Sequence, residues 1–321
     1  MLIPFHDDNP TRRFPLVTIG LILANVIALP LTLPTSLNIF APQEPTVAER
    51  EFVVGYGFIP RVLTNVRTGQ PIKVDLYPDR EEDPDAPPDR FMVIQPTVLH
   101  LVFTLVTCMF LHAGPMHLLG NMLFLWIFGN NIEDRLGHVI FTCFYLLGGI
   151  SATMCHWLMT GTPHDVMPMV GASGAVAVIL GAYIVTYPRA RIRVFFLLGC
   201  IPLFFTVPAY IMLGLWILNE LVGAIALRHG FITPVALWAH IGGFAIGAML
   251  MPLLAAGTPE PTEDWDKEAK QAFDFGRTPT PPTSPSPSEA SSSGVWWEES
   301  PRRREFERDP RQIWWEDDRR R

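Results

Sequence analysis

Ser173 stands in the run Val166–Pro188, which carries no charged residue. A hydroxyl in so apolar a stretch, between Ala172 and Gly174, is either a packing detail or a nucleophile. Polar side chains elsewhere in the apolar runs include Asn25, His112, His117, Asn121, His156, Asn219, Glu220 and His240. Buried polar groups of this kind are costly and face the interior of a helix bundle. A hydroxyl, an imidazole and a few amide or ring N–H groups are what acyl transfer needs. A neutral His240 would take the Ser173 proton and later return it to the leaving amine. The tetrahedral oxyanion would be held by the Asn121 side-chain amide, the His117 ring N–H and the Ser173 backbone N–H, which is free at a helix start. No buried Asp or Glu of the same layer offers itself as a third member. The expected machinery is therefore a Ser173–His240 dyad whose ring is oriented by packing.

Such groups can meet only if the chain holds them in facing elements. The 321 residues are 49% hydrophobic, and the apolar residues are concentrated in long uncharged runs. A bilayer core needs about 20 apolar residues per helix. The runs predict an all-α polytopic membrane protein with six spans: Pro15–Leu33, Pro115–Asn131, Val139–Leu158, Gly171–Tyr187, Pro208–Leu227 and Pro234–Leu254. Arg12 and Arg13 precede the first span, which is expected to remain as an anchor. Val98–Leu111 is too short to cross comfortably and reads as an interfacial or re-entrant helix. "HAGP" (112–115) breaks it, and Pro115 suits the first turn of the next helix. Pro202 and Pro208 interrupt the following apolar stretch, so its first part is expected to lie along the interface.

The expected organisation is a cytoplasmic N-terminus over 1–14, a six-helix membrane domain over 15–256 and a cytoplasmic tail over 257–321. Within the domain, 35–97 forms a long extracytoplasmic first loop, containing the acidic, Pro-rich "DREEDPDAPPDR". Six spans put Arg12, Arg13, Arg135, Arg189, Arg191 and Arg193 on one side, which the positive-inside rule makes the cytoplasm. The tail, with "TPTPPTSPSPSEASSSG", cannot bury a core and is expected to be disordered. Its "WWEES" and "WWEDD" read as linker composition or as a docking motif for an unidentified partner. The net charge of −7 is carried by the soluble parts. Cys108, Cys143, Cys155 and Cys200 lie in apolar runs without metal-like spacing and read as small buried hydrophobes.

Depth and spacing favour a meeting of the polar groups. His117 and Asn121 are four apart and share a face of span two. At 1.5 Å per residue, Asn121 and His240 each lie about 9 Å below the prolines that open their spans. Ser173 joins that layer if the loop before it dips inward. Ser173, Ala177 and Gly181 make a stripe of small groups on span four, and Gly243 and Gly247 continue the face of His240 on span six. Small residues let helix backbones approach closely. A nucleophile and its base need heavy atoms about 2.6–3.2 Å apart. Each feature also has a plain structural reading: a helix serine back-bonded to its own carbonyl, a satisfied core histidine, glycines that merely pack. The residues by themselves leave both open.

These motifs resemble the rhomboid family of intramembrane serine proteases, over Phe14 to about Leu254. "GASG" (171–174) matches the family's G-x-S-G, "HLLGN" (117–121) its H-x-x-x-N, and "AHIGGFAIG" (239–247) its A-H-x-x-G with a further glycine. The resemblance implies hydrolysis of transmembrane substrates near their outer end by a Ser–His dyad, without cofactor or metal. Ser173 matches the nucleophile, His240 the base, and His117 and Asn121 the oxyanion helpers; Gly171 and Gly174 frame the serine. His112 resembles a supporting histidine near the first loop. Two departures stand out. Phe103-Thr104 occupies the place of a frequent Trp-Arg, and Ala177 that of an aromatic which stacks on the histidine. Expected partners are transmembrane protein substrates and the lipid bilayer, not nucleic acid, in a bacterial inner membrane. Asn219 and Glu220 on span five are expected to hydrogen-bond a neighbouring helix, or else to touch an entering substrate or the polar cavity. A non-proteolytic holder of client helices and a carrier using His112, His117 and His240 are the competing readings.

Overall fold

The computed structural model describes residues 3–9, 11–32, 46–76, 91–160, 166–198, 201–230, 233 and 235–256. The segment "DREEDPDAPPDR", Cys200, Pro234 and the whole tail, with its Trp-Trp pairs, lie outside the described residues. The chain opens with strand β1 (Ile3–Asp7) and helix α1 (Leu16–Ala28), which tightens into a 3-10 turn at Leu29–Leu31. Helices α2 (Val47–Tyr56) and α3 (Pro60–Asn65) follow, then the antiparallel pair β2 (Ile72–Asp75) and β3 (Phe91–Ile94). Helix α4 (Val98–Thr107) runs on through a 3-10 turn to Phe110. The chain then bends by 85° into Pro115–Leu136. That second rod comprises α5 (Pro115–Phe124), a π-helical turn at Leu125–Gly129 and α6 (Asn130–Leu136). Helices α7 (His138–Thr160) and α8 (Ser173–Thr186), strands β4 (Arg191–Leu198) and β5 (Ile201–Pro208), and helices α9 (Ala209–Arg228) and α10 (Leu237–Leu254) complete it.

Among the described residues, three helices are long and apolar enough to cross a membrane: His138–Thr160, Ala209–Leu227 and Leu237–Leu254. The bent pair Val98–Phe110 and Pro115–Leu136 raises the number to four if it counts as one span. Leu16–Leu31 and Ser173–Thr186 are apolar but shorter. The expected interfacial piece before Pro115 is a separate helix, as its length requires. The helix of span two continues to Leu136, past the expected end at Asn131, and α10 begins at Leu237.

The all-α expectation needs correction, because five strands are present among the described residues. Strand β4 pairs antiparallel with β5 on one side and with β1 on the other, in the order β1-β4-β5. The alternation Arg191, Ile192, Arg193, Val194 has the period of a strand. Ile192 and Val194 are fully buried, while Arg193 reaches Asp8 at 3.0 Å. Pro202 and Pro208 fit because β5 is an edge strand, where a missing N–H costs no ladder bond. These prolines mark a strand edge rather than an interrupted helix.

The polar contacts assign the connections to two ends of the bundle. At one end, Glu133 accepts from the backbone N–H of Val17 at 2.8 Å and of Thr18 at 2.7 Å. It thereby caps α1, which has no side-chain cap of its own. Asp134 accepts from the N–H of Arg12 and Arg13 at 3.0 and 2.7 Å. The N-terminus, the turn after Leu136 and strands β4 and β5 therefore share this end. At the other end, Phe58 bridges to Met169, and the Gly171 N–H donates to the Cys108 carbonyl at 2.8 Å. First-loop elements thus cover the approach to α8.

A buried polar cluster closes the first end. Asp7 Oδ2 accepts from the Tyr183 hydroxyl at 2.9 Å and from Asn131 Nδ2 at 2.7 Å. Burial pushes the Asp7 carboxyl from 3.8 up to about 7, against these hydrogen bonds, which favour the ionised form. Between those two values the folded chain holds a proton that the unfolded chain has released. Stability should therefore fall as pH rises from about 4 to about 7, by of order 4 kcal/mol in all, and then level off. Thermal unfolding against pH should show this slope in wild type, and Asp7→Asn should flatten it.

Candidate active site

The site begins at Gly171. Its φ of +127° lies where side chains are rarely tolerated. A Cβ there would sit 2.8–2.9 Å from the His117 ring and 3.7 Å from Ser173 Oγ. This glycine lets the turn into α8 pass directly over the imidazole, and it places hydroxyl and ring on either side of one small gap.

Ser173 is the first residue of α8. Among the described residues its hydroxyl has no hydrogen-bond partner. Other helix hydroxyls behave differently: Thr142, Ser151, Thr153, Thr160 and Thr186 each donate to the carbonyl four residues earlier. Ser173 cannot do so in the same way, because Met169 lies in the bridge to Phe58 and not in the helix. The back-bonded reading of this serine is therefore excluded by its position. The same position leaves the first backbone N–H groups of α8 without helical acceptors.

Helix α8 carries the small stripe foreseen in the sequence, and α10 meets it. A Cβ on Gly243 would lie 2.6 Å from the Gly174 carbonyl oxygen and 3.2 Å from Ala177 Cβ. One on Gly181 would collide with the Phe244 carbonyl, and one on Gly247 with the Val178 carbonyl. A Cβ on Gly174 would lie 3.1 Å from Ala152 Cβ and 3.8 Å from Ala239 Cβ. The contact is thus backbone against backbone along the whole stripe. It sets Ser173 and His240, the chain neighbours of Gly174 and Ala239, at the same end of one tight helix pair. Since α10 starts at Leu237, His240 lies about 4.5 Å down its helix, not the 9 Å expected from Pro234.

His240 does not rest on packing alone. Its Nδ1 lies 2.9 Å from Glu220 Oε2, and both residues are buried. The indole of Trp216 lies against the ring, with centroids 5.9 Å apart and planes inclined at 35°. Trp216 and Glu220 are four apart on α9 and so share a face. A carboxylate therefore does reach the histidine, contrary to the expectation that no acidic residue would. The sequence places Glu220 against a neighbouring helix but does not say which side chain it meets. The i, i+4 pairing of Trp216 with Glu220 was the available signal. Trp216 also supplies an aromatic neighbour that Ala177 cannot.

On α5, the His117 ring lies under the turn into α8, where a Cβ on Gly171 would sit 2.8 Å from it. Asn121 is buried and donates one amide hydrogen to the His117 carbonyl at 3.0 Å, with a second hydrogen on the same nitrogen. His112 is fully buried, packs edge-on against His117 with centroids 5.1 Å apart, and accepts from Thr32 through its carbonyl at 2.9 Å. Phe103, in the place of the frequent Trp, lies 5.8 Å from the ring of Tyr56. Thr107 donates to the Tyr56 carbonyl at 2.6 Å, so α4 and α2 are joined without an arginine.

A family model described as Rhomboid domain matches residues 100–257. RHOMBOID-like protein 1 of Arabidopsis thaliana is 32% identical over 151 residues, 47% of this chain and 34% of that protein. RHOMBOID-like protein 7 of the same plant is 31% identical over 173 residues, 52% of this chain and 46% of that protein. The mitochondrial Presenilin-associated rhomboid-like protein A of Danio rerio is 30% identical over 90 residues, 28% of this chain and 24% of that protein. The chain thus spans less than half the length of each of these relatives.

Proposed function

We propose that this chain, whose residues 100–257 are a Rhomboid domain, is an intramembrane serine endopeptidase acting on transmembrane protein substrates. The single observation that carries this reading is the unpartnered Ser173 hydroxyl at the head of α8, locked against the helix that bears His240. In the proposed reaction His240 Nε2 accepts the Ser173 proton as Oγ attacks the scissile carbonyl carbon. The Ser173 backbone N–H, His117 and Asn121 hold the oxyanion. The C–N bond then breaks, and the imidazolium returns its proton to the leaving amine. A water, deprotonated by the same ring, releases the acyl group and restores the Ser173 hydroxyl. No cofactor enters this cycle.

The proposed arrangement in the bilayer has six spans: α1, α5 with α6, α7, α8, α9 and α10. Both termini are proposed to lie in the cytoplasm, a placement that the arginines of the first end support under the positive-inside rule. The membrane is proposed to be a bacterial inner membrane. An open depression between α9 and the segment leading into α10, lined by Asn219, Glu220, Gly223, Leu227, Val235 and Leu237, marks the side from which a substrate helix is proposed to enter.

A fluorophosphonate probe tests the reading on the purified chain. Wild type should be labelled and Ser173→Ala should not. Equal labelling of both, or none of wild type, would sink the peptidase and favour a holder of client helices.

A further inference from the structure

The Glu220–His240 contact is not needed for a two-residue machinery, and a carboxylate deep in an apolar helix is costly. Something must favour its presence there. Glu220 is flanked on α9 by Leu221, Val222 and Leu218, all turned outward, while its own side chain is buried against α10. Its Oε2 meets His240 Nδ1 at 2.9 Å. With Glu220 ionised its oxygens can only accept, and the bond then places the proton on Nδ1 and leaves the Nε2 lone pair for the nucleophile. Trp216, one turn earlier on the same helix, restrains the plane of the ring.

We propose that Glu220 is a positioning residue that makes the dyad a triad: it fixes His240 in the Nδ1–H tautomer and stabilises the imidazolium formed when Ser173 gives up its proton. The inference rests on the peptidase reading. In this proposal the Ser173 proton moves to Nε2, and the Nδ1–H stays on the ring, hydrogen-bonded to Glu220. Because the carboxylate comes from α9, one wall of the substrate cleft, this helix acts on the chemistry as well as on access.

The competing structural role is a latch that holds α9 against α10. The two roles differ in sign when Glu220 is truncated. A latch lost would open the cleft, so a small probe would label Ser173 as fast as before or faster. A positioning residue lost would slow labelling even though access improves. The Gln variant can still accept the Nδ1–H through its oxygen but carries no charge, so it should be intermediate. Relative to wild type, the fluorophosphonate labelling rate should fall about 10- to 100-fold in Glu220→Gln and about 10³- to 10⁴-fold in Glu220→Ala. The KM for a model transmembrane substrate should change little in Glu220→Gln while kcat falls. Equal or faster labelling of Glu220→Ala, with Ser173→Ala unlabelled, overturns the positioning role and leaves the peptidase reading standing. A second measurement does not depend on activity: ring ¹⁵N shifts of His240 should report Nδ1–H in wild type and lose that preference in Glu220→Ala. An Nε2–H tautomer in wild type also overturns the proposal.

Discussion

Cleavage of a tagged transmembrane substrate in whole cells is expected to stop when Ser173 or His240 is replaced by Ala. The loss should be at least about 10³-fold for either variant, because a nucleophile and its base act as one unit. For the same reason the double variant should be no worse than either single one. The expectation follows from the hydroxyl's place at the head of α8, where it has no partner among the described residues, and from its shared end of the α8–α10 pair with His240. Immunoblots of substrate fragments, normalised to the amount of each variant in the membrane, check it. Fragments that persist at the wild-type level with Ser173→Ala would assign the cutting to another enzyme.

The second large effect concerns folding. Gly247→Leu should destabilise the chain by at least about 3 kcal/mol, because its first side-chain atom would overlap the Val178 carbonyl. Backbone cannot move aside as a flexible side chain can, so α8 and α10 must part along their length. Parting them exposes no water-driven gain, since lipid is as apolar as the leucine that would fill the gap. Thermal unfolding in detergent should show the loss as a drop of order 10 °C in Tm. Gly20→Ala is the matched control: a Cβ there meets nothing within 4 Å, and its effect should stay within about 0.5 kcal/mol. A Gly247→Leu variant as stable as wild type would show that the close approach of the two helices is dispensable.

Much of the site could be read from the chain because its signals are local. The i, i+4 pair His117 and Asn121 and the small stripe Ser173, Ala177 and Gly181 each lie within one element. Element ends and strand pairing were less legible. Residues 194–208 look like part of a broken membrane helix when only hydropathy and proline are weighed. Their identity as strands depends on β1, some 190 residues earlier in the chain, which offers β4 a partner. No local signal marks Leu237 as the first residue of α10.

The sequence by itself determined which apolar segments carry Ser173, His240, His117 and Asn121, and that glycines would line the faces between them. These follow from composition and from the 3.6-residue period, which are properties of single segments. Only the tertiary structure decided that Glu220 meets His240 and that Trp216 lies on the same ring, because a contact between α9 and α10 depends on how two rods are rotated and offset. Helical periodicity puts Glu220 and Trp216 on a common face, but it does not say which neighbour that face looks at. Interhelical packing sets that choice, and here the contact of α9 with α10 turns the carboxylate to the imidazole.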